Sequence, residues 1–324
     1  MKIYNNPADI AEPFADSFVT IGNFDGVHLG HHMLFSEVVS RAYQKHGTSV
    51  VVTFEPHPLQ VIRPEIGIKL ISTYEQKVEM IALAGIDVLV VLPFTRGFAA
   101  TSAESFVDDI LINTIGVKEL VVGYDYAFGR GRQGNIEFLK EQGRLKGFPV
   151  TVVEPYYVDD LLVSSSKIRE LVSEGRMMDV KKLLGRNYQI RGTVQEGKKR
   201  GGPVVGFKTA NLHLSDEDLC PKHGVYVTQV VYEGKCYGGV LNIGYNPTFG
   251  ENRLSAETHI FDFNKEIYGK KMKINLLKYL RGEKKFSGPR ELAKQIREDI
   301  SLAKEILAQA QKELLLSCEE KYNR

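Results

Sequence analysis

Two histidines in a glycine-rich segment near the N-terminus are the first residues whose types and spacing suggest chemistry. His28 and His31 lie three residues apart within residues 22–31, directly after a β-branched run and at the start of a helical pattern. Residues three apart on a helix share a face, so both imidazoles can reach one ligand. Unpaired N–H groups at a helix start attract phosphate, and glycines let the backbone approach an anion closely. The segment therefore predicts a phosphate site in which both imidazoles donate to phosphate oxygens during displacement at phosphorus.

The histidine pair has two other interpretations, a helix cap beside a packed core residue and a zinc site. The pair follows a strand and opens a helix, and this is where an α/β sheet binds ligands. No third ligand lies at the spacing that is usual for zinc. The phosphate interpretation is therefore preferred.

Strand and helix patterns alternate through the first half of the chain and must position this segment. The strand-like runs cover residues 18–21, 49–54, 88–92, 119–123 and 149–153, and helical spacing covers residues 32–45, 74–84, 103–114 and 136–146. Ser72 followed by Glu75 predicts a capping box at the start of the second helix. The alternation predicts a parallel sheet with helices on both faces.

The pattern changes after about residue 184. Strand-like runs at residues 188–194, 225–231, 236–243, 258–263 and 273–280 are separated by Gly, Pro and Asn turns. They predict an antiparallel barrel or sandwich. From residue 289 to about residue 315, a stripe predicts an amphipathic helix packed on the barrel; it consists of Leu292, Ile296, Ile300, Ala303 and Leu307. We expect two domains, residues 1–185 and 186–324.

The bulk composition limits the class of protein. The chain has 324 residues, 43% of them hydrophobic, and a formal net charge of only +2, so no polyanion-binding surface and no nucleic-acid partner is expected. The three cysteines form no Cys-x-x-Cys pair, which disfavours a disulfide framework or a zinc site. Neither a signal peptide nor an apolar run of membrane-spanning length is recognisable. We expect a cytoplasmic protein with no membrane partner, and its oligomeric state is open.

Residues 20–31 resemble the nucleotidyltransferase signature, and closely that of bacterial FAD synthetases, which are usually bifunctional riboflavin kinases and FMN adenylyltransferases. Residues 53–58, 123–129 and 164–169 match further motifs of that family in the same order. The resemblance implies a Rossmann-like domain that transfers AMP from ATP to FMN. It implies catalysis by His28, His31 and Arg169. It also implies nucleotide and flavin binding by Gly22, Asn23, Phe24, Asp25, Gly26, Phe54, Pro56, His57, Pro58, Asp125, Phe128, Ser164, Ser165 and Ser166.

The nucleotide-side motifs also make physical sense alone. Residues 164–166 can offer hydroxyls and N–H groups to phosphate, and Arg169 lies one helical turn later. Asp125 follows an apolar strand and can accept hydrogen bonds from a ribose or an adenine. The alternative for residues 164–169 is an N-cap followed by a solvated arginine. The alternative for Asp125 is an aspartate that only forms a turn.

The flavin-side motif is a stiff loop at Pro56, His57 and Pro58 after the second strand run. Phe54 and Phe128 can flank an isoalloxazine ring, although both are also typical of core positions.

Residues 197–211 form a second glycine-rich segment, which is also basic. Gly201 and Gly206 have P-loop spacing, but Phe207 interrupts the motif and no helix pattern follows, so a P-loop is rejected. The segment resembles the riboflavin kinase motif Gly-x-Pro-Thr-Ala-Asn, and residues 246–249, 257–259 and 279–283 resemble the same family. The resemblance implies a riboflavin kinase-like antiparallel β-barrel with a C-terminal helix, which converts riboflavin and ATP to FMN and ADP. Thr209 and Asn211 would hold Mg²⁺ and the ATP phosphates, and Glu257 would act as the base for the ribityl hydroxyl.

One departure concerns the kinase motif. Lys208 stands where the family has Pro, and the preceding loop is one residue longer than usual. Pro would preset the loop that presents Thr209 and Asn211, whereas Lys does not. We expect weak or absent kinase activity. Two alternatives remain open: a second domain that is a non-catalytic flavin-binding or regulatory module, and a first domain that adenylylates another small acceptor.

Overall fold

The alternating patterns of the first half build a parallel sheet, and those of the second half build a barrel. The computed structural model describes residues 1–195, 209–246 and 253–322. The chain divides into two compact units, Met1–Ile168 and Arg169–Arg324.

The first unit contains a six-stranded sheet in which every strand pair is parallel. Its strands are β1 (Lys2–Tyr4), β2 (Ser17–Ile21), β3 (Thr48–Glu55), β4 (Val88–Pro93), β5 (Val117–Gly123) and β6 (Val150–Val153). Their order in the sheet is β1-β4-β3-β2-β5-β6. The chain moves from β2 outward to β3 and β4, and then returns to β5 on the other side of β2. The strand order therefore reverses between β2 and β5.

Helices connect these strands. They are α1 (Leu29–Gln44), α2 (Pro58–Ile62), α3 (Tyr74–Leu83), α4 (Arg96–Ala99), α5 (Ala103–Ser105, continued by a π-helix at Phe106–Ile115) and α6 (Ile136–Lys146). A short hairpin, β7 (Tyr157–Val158) and β8 (Leu161–Leu162), precedes α7 (Ser165–Ser173) and α8 (Met177–Leu184). One core cluster includes Val19, Val52 and Leu120, and a second includes Phe18, Val51 and Val121. Because neighbouring residues of a strand point to opposite faces, both faces of the sheet are covered. The predicted α/β architecture is confirmed.

The predicted capping box at Ser72 and Glu75 is wrong by one residue. The structure begins α3 at Tyr74 and makes Thr73 its N-cap. The Thr73 hydroxyl accepts from the Gln76 N–H at 3.2 Å, and the Gln76 side chain accepts from the Thr73 N–H at 2.8 Å. The reason is that Ser72 bonds to a distant loop instead of to its own helix.

The second unit contains a closed antiparallel barrel. Of the two predicted architectures, the barrel is therefore confirmed and the sandwich is excluded. Its strands are β9 (Tyr188–Gln195), β10 (Ala210–His213), β11 (Gly224–Tyr232), β12 (Lys235–Asn246), β13 (Arg253–Ile260) and β14 (Lys271–Arg281). The barrel order is β10-β13-β12-β11-β14-β9. The strand predicted at residues 258–263 instead ends at Ile260, because a turn follows in which Asp262 has a φ of 53°.

A long C-terminal helix, α9 (Pro289–Tyr322), packs on the barrel. Ala303 is fully buried with Val227 and Phe261, and Ile300 and Leu307 pack against the same cluster. Three residues of the predicted apolar stripe, Ile300, Ala303 and Leu307, therefore face the barrel. Within the described part of the chain, no helix is both long and apolar enough to span a membrane.

A buried ion pair ties α9 to β14. Asp299 is 6% exposed and accepts from the Arg281 guanidinium at 2.7–3.2 Å. Asp299→Ala would leave that half-buried cation without its carboxylate, so the free energy of unfolding should fall by about 3 kcal/mol. Urea unfolding measures this change. The matched control is Glu298→Ala, which removes an exposed ion pair to Lys294 at 4.0 Å and should change stability little. Equal losses in both variants would contradict the prediction.

Candidate active sites

The glycine-rich segment lies where the order of the parallel sheet reverses. β2 and β5 are neighbours, with Thr20 opposite Val121, and both strands end at the same edge of the sheet. The segment that contains His28 follows β2, and the loop that contains Asp125 follows β5. Open α/β sheets bind ligands at the carboxyl ends of their strands, at this kind of reversal. The structure therefore brings two of the predicted motifs to one sheet edge.

His28 and His31 cap the first helix reciprocally. His28 is the N-cap of α1, and its Nδ1 accepts from the His31 N–H at 3.3 Å. His31 Nδ1 accepts in turn from the His28 N–H at 3.3 Å. The two rings are stacked, with centroids 3.5 Å apart and planes inclined by 17°. The cap and the phosphate interpretation are thus compatible, because capping uses one nitrogen of each ring.

This cap selects the tautomer of both imidazoles. A nitrogen that accepts a hydrogen bond carries no proton, so in each neutral ring the proton lies on Nε2. In this tautomer the Nε2–H of each ring is a hydrogen-bond donor. Gly30 makes room for this arrangement, since a Cβ at residue 30 would lie 3.2 Å from atoms of the His28 ring.

Asp25 is buried, and its carboxylate binds backbone of the first unit. It accepts from the Ile71 N–H at 3.1 Å and from the Ser72 N–H at 3.2 Å. The Gly26 N–H donates to the Ser72 hydroxyl at 3.1 Å. The structure thus gives Asp25 and Gly26 a role in holding the glycine-rich segment in place. Nucleotide binding by Asp25 and Gly26 stays a prediction.

A second helix N-terminus lies against the same loop. Ser164 caps α7 by accepting from the Lys167 N–H at 3.2 Å, and the Ser165 hydroxyl donates to the Asp25 carbonyl at 3.0 Å. Ser166 is exposed in the first turn of this helix. The starts of α1 and α7 thus lie near each other, and each has a partial positive charge that favours an anion. Arg169 lies one turn further along α7, in the second compact unit, and its catalytic role stays a prediction.

Three phenylalanines that were predicted to bind a ligand are core residues in the structure. Phe24 is 2% exposed and packs edge-on against His31 and Phe35. Phe54 and Phe128 are 7% and 8% exposed and belong to one core cluster. The structure shows a packing role for all three rings, and contact with a flavin stays a prediction.

The loop predicted to lie on the flavin side makes local hydrogen bonds with the helix that follows it. His57 is buried and caps α2 by accepting from the Leu59 N–H at 3.2 Å. Pro58 is the first residue of α2, and Pro56 is exposed. Proline at the first helical position matches the helix geometry.

The remaining predicted residues of the first unit lie on the loops at this edge. Gly22 donates its N–H to Val52 at 3.1 Å, and Asn23 is exposed. Asp125 is also exposed. Burial, with smaller effects of Asp125 and Tyr157, raises the pKa of the neighbouring Tyr124.

The second candidate site lies on the outer face of the barrel. Strand pairing sets Asn211 of β10 opposite Glu257 of β13. Their neighbours along the strands are buried on the other face: Ala210, Leu212, Ala256 and Thr258. Side chains alternate along a strand, so Asn211 and Glu257 point outward together. Both are half-buried, and Thr209 is exposed directly before β10.

Several predictions fall outside the described residues. Gly201, Gly206, Phe207 and Lys208 do so, as do residues 247–249. Sequence reasoning also missed the role of Ser72, which it took for a helix cap. The signal that identifies it is structural, because its partners lie more than 40 residues away.

Comparison with known proteins agrees with this geometry. A family model of FAD synthetase matches residues 11–167, and a model of riboflavin kinase matches residues 184–307. The chain is 38% identical to the bifunctional riboflavin kinase/FMN adenylyltransferase of Bacillus subtilis, over 90% of this chain and 92% of that protein. It is 36% identical to the enzyme of the same name from Buchnera aphidicola of Acyrthosiphon pisum, over 93% of this chain and 96% of that protein.

A solved structure is also similar. A Streptococcus pneumoniae protein described as a macrolide-efflux protein superposes with a TM-score of 0.84 and 30% identity, over 93% of this chain and 98% of that one. Both family models and the near full-length relatives lead to one conclusion. The chain belongs to the family of bifunctional riboflavin kinases/FMN adenylyltransferases.

Proposed function

We propose that the first unit makes FAD by transferring AMP from ATP to FMN. A phosphate oxygen of FMN attacks the α-phosphorus of ATP, the bond from that phosphorus to the bridging oxygen breaks, and pyrophosphate leaves. The observation that carries the proposal is the stacked pair of His28 and His31 at the N-terminus of α1, at the reversal of the sheet. Two negatively charged phosphates must meet there, and fixed N–H donors stabilise the charge that develops.

Each residue at this edge of the sheet has its own role in the proposed transfer. The Nε2–H groups of His28 and His31 donate to the oxygens of the phosphate under attack. The starts of α1 and α7 hold the anion, with the hydroxyl of Ser164 and the N–H groups of residues 165 and 166 beside it. Arg169 adds a cation to the same anion, and Asp125 binds the ribose or adenine of ATP. The loop at Pro56–Pro58 receives the flavin.

The second unit is proposed to phosphorylate riboflavin. Glu257 takes the proton of the ribityl hydroxyl, whose oxygen attacks the γ-phosphorus of ATP, and ADP leaves. The register that sets Asn211 opposite Glu257 supports this assignment, because it puts an amide beside a carboxylate on one face. Mg²⁺ prefers oxygen ligands, and the hydroxyl of Thr209 and the amide oxygen of Asn211 suit it. When bound there, Mg²⁺ would neutralise charge on the ATP phosphates.

We also propose a domain boundary at residue 185 and a cytoplasmic location. Gly185 ends α8 with a φ of 70°, and the first barrel strand starts at Tyr188, which supports domains at residues 1–185 and 186–324. The thiols of Cys220 and Cys236 are free, which agrees with a reducing compartment. The proposed partners are small molecules only: ATP, FMN and riboflavin.

One experiment tests both activities. The full-length protein is incubated separately with FMN plus ATP and with riboflavin plus ATP, and the products are separated. We expect abundant FAD from FMN and weak or absent FMN from riboflavin, because Lys208 replaces the Pro that would preset the kinase loop. Lys208→Pro should raise the kinase rate.

Each outcome identifies one alternative. Absence of FAD, with AMP transferred to another small acceptor, would replace FMN as the substrate. Riboflavin binding without FMN formation, even in Lys208→Pro, would favour a non-catalytic flavin-binding module. Kinase turnover equal to adenylyl transfer would show that Lys208 is harmless.

A further inference from the structure

Ser72 joins two segments of the first unit that are distant in sequence. It is 7% exposed, and its hydroxyl accepts from the Gly26 N–H at 3.1 Å. Its own N–H donates to the Asp25 carboxylate at 3.2 Å, beside the Ile71 N–H at 3.1 Å. We call Asp25, Gly26, Ile71 and Ser72 the loop latch. The latch fixes the glycine-rich segment, residues 22–31, to the residues directly before α3.

The loop that this latch holds is conformationally costly. Phe24, Gly26 and Val27 have φ values of 50°, 81° and 37°. Residues other than glycine rarely adopt such values, and these values persist only where the surrounding structure enforces them. A Cβ at residue 26 would also lie 2.9 Å from the Ile71 side chain, so the two segments are in close contact. Loss of a latch contact should let the loop relax toward ordinary backbone angles.

Relaxation of the loop would move the histidines. Val27 directly precedes His28, the N-cap of α1. Phe24 contacts the His31 ring, with centroids 5.1 Å apart. The body of α1 is also held by buried residues further along the helix, such as Val38 and Ala42. The latch therefore controls the first turn of the helix more than the helix itself.

We propose that Ser72 is a positioning residue for AMP transfer, which holds His28 and His31 in place through Gly26. This inference rests on the proposed adenylyl transfer. Ser72 acts through the loop, because its hydroxyl is engaged with Gly26. A misplacement of catalytic groups by about 1 Å can lower a rate about 100-fold.

The neighbouring Thr73 provides a matched control. Ser72→Ala and Thr73→Ala each remove one hydroxyl that accepts a backbone N–H, from Gly26 and Gln76 respectively, and Ser72→Ala also removes the donation of that hydroxyl to the Asp25 carboxylate at 3.5 Å. Both should lower thermal stability to a similar, small extent. Only Ser72→Ala should lower kcat for FAD formation, by about 10-fold or more, with KM for ATP and FMN changed less than about 3-fold. Ser72→Thr, which keeps the hydroxyl, should recover most of the rate.

A second readout is independent of turnover. Nitrogen-15 NMR of the imidazoles reports the hydrogen bonds of His28 and His31 in the full-length protein. Ser72→Ala should shift these signals, and Thr73→Ala should leave them unchanged. If the wild type makes no FAD, the proposed function fails, and the NMR comparison still tests the latch.

Three results would overturn the proposal. Equal losses of kcat in Ser72→Ala and Thr73→Ala would reduce Ser72 to a stabilising residue. A change confined to KM would make it a residue of substrate binding. Unchanged imidazole signals and unchanged kcat in Ser72→Ala would show that the latch does not position the histidines.

Discussion

Replacing His28 or His31 with Ala should lower the kcat of FAD formation from FMN by about 100-fold. The reason is the loss of one preorganised donor to the phosphate oxygens, which typically costs this much. The two effects should not add, because each ring holds the other through reciprocal bonds of 3.3 Å between Nδ1 and N–H. The measurement is steady-state FAD formation by each single variant and by the double variant.

Loss of the helix cap has to be separated from loss of the imidazole. His28→Ala removes both, and loss of a cap costs about 1 kcal/mol of stability. His28→Asn restores an N-cap side chain, so it should recover stability without recovering kcat. His46→Asn is the control for histidine removal, because His46 is exposed in the left-handed region with a φ of 54°, which Asn tolerates.

Gly30→Ala tests the same site by steric pressure instead of deletion. The new Cβ would lie 3.2 Å from the His28 ring, which must then shift by a few tenths of an ångström. We expect a loss of kcat with both histidines still present. Near-normal turnover in the folded His28→Ala/His31→Ala double variant would disprove the role of the pair.

The sequence was sufficient for the features that depend on local order. Hydrophobic period placed five of the six strands of the sheet, and the glycine-rich turn placed His28 and His31 at a helix start. β1 was missed because Lys2–Tyr4 is short and becomes a strand only by pairing with β4. β10 was missed for a related reason, since its four residues are held by β9 and β13.

The contacts near the site that the sequence did not predict have the same physical origin. A polar residue in a glycine-rich motif can face a ligand or a distant segment, and spacing does not distinguish the two. Nucleotide binding by Asp25 stays a prediction, but the sequence did not indicate that its carboxylate binds the Ile71 and Ser72 backbone, 46 and 47 residues later. Ser72 was predicted to cap α3, whereas Thr73 does so. These contacts depend on the fold of the whole unit, and no local pattern contains them.

Glu257→Gln should abolish most of the kinase activity and leave adenylyl transfer unchanged. Gln keeps the size of the side chain and its hydrogen-bonding capacity, but it cannot accept the ribityl proton. General base catalysis typically contributes 10²- to 10⁴-fold, so FMN formation should fall by about that factor. Riboflavin affinity, measured by flavin fluorescence, should change less than about 3-fold, because binding does not need the base.

The chain itself provides the controls for this last prediction. FAD formation from FMN in the same variant shows that the loss is confined to the second unit, and retained riboflavin binding shows that the barrel is folded. Glu266→Gln removes an exposed carboxylate of the second unit and should have no effect. Asn211→Ala should lower the kinase rate as well, since Asn211 lies opposite Glu257 in the strand register. If Lys208 makes the wild-type kinase slow, the same comparison is made in the Lys208→Pro background. A kinase rate that is unchanged in Glu257→Gln while Asn211→Ala loses activity would remove Glu257 as the base. It would move the search for the base to another carboxylate on the outer face of the barrel.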